Sequence, residues 1–289
     1  LYITFGIEGT YAFSGHCRHY PCYGPSLFGI NLFILVIMIF TNLIHTNLRT
    51  NYLGKDVEYY QRLESTNAEA WELLENDRAS HGMIIITDNQ LQGKGRNGNT
   101  WFMSPSKGLA MSLILTEPLV IRDAELIPIA AGVAAAMTLE NRGLTPGLKW
   151  PNDIMINGKK CGGILCESKI SDQKINSMVI GMGMNINETE DDFPEKIVEA
   201  STSLFLESGH THQRELACAI FTTFFEKILG DLPSTIEQWI GYCNHLEEMV
   251  SFTHSGVKCH GLFKGIDERG QALIEIDNNI KPFPSIILE

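Results

Sequence analysis

The sequence predicts an α+β fold, a mixed domain of helices and strands followed by a compact all-β module. Three observations predict it. Between Asp123 and Asn141 the apolar residues Leu126, Ile129, Ala130, Val133, Ala134 and Met137 fall at the helical period. Short β-branched or apolar runs such as Met83–Thr87 (MIIIT) and Met178–Ile186 lie between segments of that kind and read as buried strands. From Met249 the texture changes to short alternating segments (VSFTH, VKCHGLFKGI, QALIEI, KPFPSIIL) parted by Ser255-Gly256, Asp267–Gly270 and Asp277–Asn279. That pattern suits a small β-barrel of about 40 residues.

The remaining elements follow in order. Val57–Leu63 (VEYYQRL) alternates as a strand. Thr66-Asn67-Ala68-Glu69 reads as a capping box, in which the Thr66 hydroxyl and the Glu69 carboxylate satisfy free amides at the start of a helix running to Ala79. A glycine-rich, aperiodic stretch spans Asp88–Lys107, and Leu109–Leu115 resumes strand character. Gly143 suits the stop of the long helix. Asp153–Ile156 and Gly162–Glu167 read as strands, with turns at Asn157-Gly158 and around Ser171-Asp172. Helices are expected from Gln213 to Leu229 and over Ile236–Leu246.

Composition bounds the function. The 289 residues are 44% apolar and 19% charged, which excludes a disordered chain, a collagen-like fibre and a small disulfide scaffold. A net charge of −12 disfavours coating of nucleic acid but leaves room for a local basic site. The seven cysteines, Cys17, Cys22, Cys161, Cys166, Cys218, Cys243 and Cys259, form no Cys-x-x-Cys pair. They read as small thiols in a reducing compartment, so the expected location is cytoplasmic.

Residues 1–52 differ from the rest, with only Glu8, Arg18 and Arg49 charged. The uncharged stretch 27–44 has eighteen residues, short of the roughly 20 that cross a bilayer. Residues 1–52 are therefore expected to be an apolar leader dispensable to the fold, with a membrane anchor as the alternative. The mixed domain would then span 53–247 and the β-module 248–289.

Three stretches carry chemistry. In Gln90–Trp101 (QLQGKGRNGNTW), Gly93, Gly95 and Gly98 let backbone amides approach an anion, and Lys94 and Arg96 add positive charge beside them. The spacing is neither of the Walker type nor the dinucleotide fingerprint. A plain surface loop is the bland reading. The second stretch is Leu148–Ile154 (LKWPNDI) with Lys159–Glu167 (KKCGGILCE). Its lysines could neutralise a carboxylate or phosphate, and Asn152 and Asp153 could hold Mg²⁺ through oxygen. Against that stand core packing for Trp150-Pro151 and a solvated hairpin tip for Lys159-Lys160. In the third, GMGMNIN from Gly181, glycines interrupt a buried strand, so a ligand or another backbone should lie close, a β-bulge being the alternative.

In this order, Ser65-Thr66-Asn67, GKGRNGNTW, KWPND, KKCGGILCE and GMGMN resemble the biotin protein ligase family, and GIDERGQALIEI looks like its C-terminal barrel. The resemblance covers residues 55–289. It implies a mixed-sheet catalytic domain of the biotin/lipoate ligase type with a small SH3-like β-barrel. It also implies a two-step reaction: biotin and ATP give biotinyl-5′-AMP, and a lysine of a biotin carboxyl carrier protein then takes the biotinyl group. Carried over by motif position, Ser65, Thr66, Asn67, Gln90, Lys94, Gly95, Arg96, Trp101, Lys160 and Gly163 contact biotin. Arg96, Asn152, Asp153 and Asn185 serve the nucleotide, Asp153 holds Mg²⁺, and Arg96 with Lys160 carries the catalysis. The family's loop often reads GRGRRGR, so Asn97 and Asn99 lower the positive charge here, and Lys94 stands where Arg is usual. The resemblance is to ligase-only members, because residues 1–52 have neither an amphipathic helix pair nor a basic face for DNA. Such members are often homodimers. A lipoate or octanoate ligase or transferase is the neighbouring alternative, and a membrane-tethered binding protein the alternative of another class.

Overall fold

The computed structural model describes residues 38–117, 121–171, 174–254 and 256–288. The expected leader up to residue 37, with Cys17 and Cys22, lies outside the described residues, as do Asp172 and Ser255 of two expected turns.

A seven-stranded mixed sheet organises the larger domain. Its strands are β1 (Val57–Tyr60), β2 (Ile84–Thr87), β5 (Leu109–Leu115), β6 (Pro146–Lys149), β7 (Asp153–Ile156), β8 (Lys159–Ser171) and β9 (Lys174–Met184). The spatial order is β1-β2-β5-β9-β8-β7-β6, with β1 and β2 parallel and every other neighbouring pair antiparallel. Every residue of β2 and β5 is buried, as expected of central strands covered on both faces. One face carries α3 (Ile121–Asn141), whose alanines 124, 130, 131 and 134–136 form part of the main core. With it pack α5 (Arg214–Leu229) and α6 (Thr235–Tyr242). A short helix, α4 (Leu204–Ser208), precedes α5.

The opposite face carries α2 (Thr66–Glu75), whose Ala70 and Leu73 pack on Ile85, Ile114 and Val179. Two residues further along β5 and β9 the same face presents Ser112 and Gly181, which are partners across the ladder. The site is built there.

The β-module is a four-stranded antiparallel sheet of β10 (Met249–His254), β11 (Val257–Ile266), β12 (Ala272–Ile276) and β13 (Asn279–Phe283). Phe252, Phe263, Ile274 and Phe283 are among its buried side chains. Trp150 Nε1 donates to the Gly270 carbonyl at 3.1 Å, and Arg269 grips Glu125 with two hydrogen bonds of 2.7 and 2.5 Å. These contacts fix the module beside the KWPND turn.

Several expectations need correction. The described residues ahead of 53 contribute to the core of the larger domain. Thr41–Asn47 forms a helix, α1, and Ile39, Ile44, Leu48 and Leu53 belong to the core. Apolar side chains that read as a leader are there because α5 offers them a surface. Glu226 of α5 accepts the backbone N–H groups of Asn51, Tyr52 and Leu53 at 2.5, 3.0 and 2.8 Å. Those bonds hold its carboxyl below the usual range against the opposing effect of burial. Among the described residues no helix is long and apolar enough to cross a membrane.

The capping box at Thr66 does not form. Ser65 is the cap residue, the Thr66 side chain turns to Gln90 and Ser112, and Glu69 accepts from the Tyr60 hydroxyl at 2.8 Å. The helix stops at Glu75, and α6 stops at Tyr242, where Cys243 bridges to Leu148.

Replacing Glu226 with Ala should cost about 2 kcal/mol, because three amides, that of Leu53 buried, lose a charged acceptor. Urea denaturation of wild type and variant checks this, and equal midpoints would show that residues 51–53 are not anchored through Glu226.

Candidate ligand site

One cavity of ≈170 Å³ gathers the three stretches. Its floor is the start of α2 with Ser65, Thr66 and Asn67, together with Gln90 and the backbone of β8 and β9 at Gly163, Gly181 and Gly183. A hairpin forms one wall. Its strands are β3 (Gly93–Lys94) and β4 (Thr100–Trp101), joined by a 3₁₀ turn at Arg96–Gly98 with Asn97 left-handed at φ 55°. The aperiodic loop is therefore ordered as a hairpin, which carries Lys94, Gly95, Arg96 and Trp101 to the cavity. The facing wall is the β6–β7 turn, with Lys149, Asn152 and Asp153, and Lys160 at the start of β8. Ile286, Ile287 and Leu288, beyond the last strand of the β-module, complete the lining.

The glycines have a clear reason. Gly181 and Gly183 pair in regular register with both neighbouring strands, so no bulge is present at either. Asn67 fills the space over Gly181, and the Trp101 indole fills the space over Gly183. A methyl group at either position would overlap these side chains. Gly93 is constrained in the same way, since a Cβ there would lie 2.5 Å from the Trp101 carbonyl oxygen.

Positive charge collects at one end. Lys160 Nζ pairs with Asp153 Oδ1 at 2.5 Å and lies 5.8 Å from the centroid of the Trp101 ring. Burial lowers the pKa of the Arg96 guanidinium, and the nearby Asp153 carboxylate works in the opposite direction. Asp153 thus faces both cations. Lys160 is no free hairpin tip. Asn152 donates from Nδ2 to the Ile164 carbonyl at 2.8 Å, which leaves its side-chain oxygen for another partner. Burial pushes the Cys166 thiol near Arg96 up to about 12, which favours its neutral form. Trp150 keeps its packing role: it is in the core, and its peptide bond to Pro151 is cis.

Asn185 is the exception among the expected residues. It does not line this cavity. Its amide donates to the Thr202 carbonyl at 2.9 Å, because the chain leaves β9 there and turns toward α4. In turn, the cavity contains residues that motif reading passed over. Lys149 and Met111 sit inside recognisable stretches but carry no distinctive spacing. Ile286–Leu288 arrive from the β-module, and no local pattern ties them to the loop.

Comparison with known proteins identifies the family. The sequence model of the Biotin/lipoate A/B protein ligase family matches residues 59–185. The bifunctional ligase/repressor BirA of Bacillus subtilis is 32% identical over 254 residues, covering 85% of this chain and 77% of that protein. The chain belongs to the biotin protein ligase family. The biotin–[acetyl-CoA-carboxylase] ligase of Paracoccus denitrificans is 28% identical, over 74% of this chain and 91% of that protein. The biotin protein ligase of Aquifex aeolicus, solved with biotin and ATP, superposes with a TM-score of 0.67 at 26% identity. That match covers 81% of this chain and 99% of that one. The mixed sheet of this biotin protein ligase, with the β-module after it, is thus the family's fold.

Gly183→Ala should move the Trp101 indole and weaken ligand binding about tenfold or more, while the buried ladder keeps the domain folded. Calorimetric titration with biotin beside a thermal melt checks both parts. Unchanged affinity would mean that Trp101 does not shape the cavity.

Proposed function

We infer that this ligase activates biotin with ATP and joins it to a lysine of a biotin carboxyl carrier protein. In the first step a carboxylate oxygen of biotin attacks the α-phosphorus of ATP, and the bond to pyrophosphate breaks. In the second the carrier's lysine amine attacks the acyl carbon of biotinyl-5′-AMP, the bond from that carbon to the phosphate oxygen breaks, and AMP leaves. The convergence of Arg96, Lys160 and Lys149 on one cavity, whose other end is neutral and polar, carries this reading.

Two anions must meet in the first step. Their repulsion falls only if fixed cations stand where the charge develops, and donors held in place before the reaction lose little in reorganisation. Arg96, on the hairpin tip, and Lys160, on the opposite wall, are suited to that work, with Asp153 paired to Lys160 and its charge felt by Arg96. Ser65, Thr66, Asn67 and Gln90 take the polar ring of biotin. Trp101 and the side-chain-free backbone at Gly163 bound its chain, and Lys94 and Gly95 complete the strap above it.

Asn152 and Asp153 lie on the nucleotide side. Asp153 and the free oxygen of Asn152 form a hard-oxygen set suited to the Mg²⁺ that accompanies a nucleoside triphosphate, and the ion would offset phosphate charge there. Among the described residues no group of three His, Cys, Asp or Glu is placed to hold a metal ion. Asn97 and Asn99 line the same cavity, so the arginines they replace are lacking at the pyrophosphate end. The free thiols of Cys161, Cys166, Cys218, Cys243 and Cys259 support a cytoplasmic setting.

Arg96→Ala should slow biotin-dependent release of pyrophosphate by about 100-fold, the scale on which removing one preorganised donor acts. A rate equal to that of wild type would take the adenylation role away from Arg96.

A further inference from the structure

Glu167 does not line the ligand cavity, yet it controls what the cavity floor presents. Its Oε2 accepts from Asn67 Nδ2 at 2.7 Å, and the same Nδ2 faces the Leu165 carbonyl oxygen at 3.4 Å. An ionised carboxylate and a carbonyl can only accept. Asn67 must therefore turn its NH₂ group toward β8 and its Oδ1 the other way, toward β5. There Ser112 Oγ lies 2.6 Å from Oδ1.

Ser112 is fully buried and has one hydroxyl proton, which goes to Asn67. Ser112 Oγ also lies 2.7 Å from Thr66 Oγ1. With its proton committed, Ser112 accepts at that contact, and the Thr66 hydroxyl donates. The other acceptor within reach of Thr66, Gln90 Oε1 at 3.3 Å, also draws the proton away from the cavity. Either way Thr66 Oγ1 turns lone pairs toward the ligand. Gln90 Oε1 already accepts the Thr66 backbone N–H at 2.9 Å, so Gln90 offers its Nε2 as a donor. An acceptor beside a donor is the complement of an N–H next to a carbonyl.

We propose that Glu167 is a positioning residue: through Asn67 and Ser112 it fixes the direction of this hydrogen-bond chain and makes the floor selective for a ligand that donates an N–H to Thr66. That ligand group is the ureido ring of biotin, and here the proposal rests on the function inferred above. A glutamine at 167 keeps the shape but can both donate and accept. Asn67 could then turn over, and the chain could run in either direction.

The test is titration calorimetry with biotin in the absence of ATP, together with steady-state kinetics. For Glu167→Gln the Kd for biotin should rise about tenfold, while KM for ATP and kcat at saturating biotin change less than about twofold. Ser112→Ala cuts the chain beyond Asn67, so adding Glu167→Gln to it should lower affinity no further. The preference of the wild type for biotin over an analogue methylated on a ureido nitrogen should shrink in Glu167→Gln. An unchanged Kd, strictly additive losses in the double variant, or undiminished discrimination against the methylated analogue would overturn the proposal. Biotin that binds but is not adenylated would count against the ligase reading alone, since the affinities still judge the chain. Absence of biotin binding by the wild type would sink both.

Discussion

Asn67 and Trp101 can reach the sheet only because β9 has no side chains at Gly181 and Gly183. The rest of the site follows from that bare backbone. Asn67 comes low enough to lie between Ser112 on β5 and Glu167 on β8, and Trp101 brings the hairpin tip over the same strand. The floor and one wall of the cavity are thus fixed by the sheet rather than by a free loop. Glycine within a strand normally weakens it by removing packing. Here the lost packing is restored by two side chains from elsewhere in the chain, and their positions define the ligand's space.

Electrostatics divides the cavity in two. The chain carries a net charge of −12, so its overall field does not attract anions. Arg96, Lys149 and Lys160 nonetheless line one cavity, with Asp153 paired to Lys160 and near Arg96. Local cations outweigh the distant acidic surface because screening limits exposed charges to about 8–10 Å at ordinary salt. At the other end, neutral polar groups in a hydrogen-bond chain recognise shape and donor pattern. A ligand with a neutral polar ring and an acid tail matches both ends at once.

The motifs were legible in the sequence because each needs an unusual residue in an unusual place. Glycines in a buried strand, lysines beside strands and a glycine-basic stretch have few structural excuses, and all three proved to share a cavity. The long helix and the central strands were legible from period and composition for the same reason that they fold: their environment is uniform along their length. What escaped reading depended on distant partners. Residues 38–53 looked expendable because their apolar side chains are balanced by α5, far along the chain. Thr66 looked like a cap because local spacing favours that reading, whereas Gln90 and Ser112 claim its side chain. Asn185 sits at the end of a glycine-marked motif but turns away toward Thr202. Glu167 closes the KKCGGILCE motif, but its meaning lies in the proton direction it imposes through a helix and one other strand.

The central claim is that one cavity recognises a ureido ring at its floor and activates the acid at its cationic end. Acid-dependent exchange of pyrophosphate into ATP, run on the full chain with biotin and separately with lipoate or octanoate, tests it most directly. The account predicts exchange with biotin and none above background with the other acids. Exchange driven by lipoate or octanoate but not by biotin would contradict it.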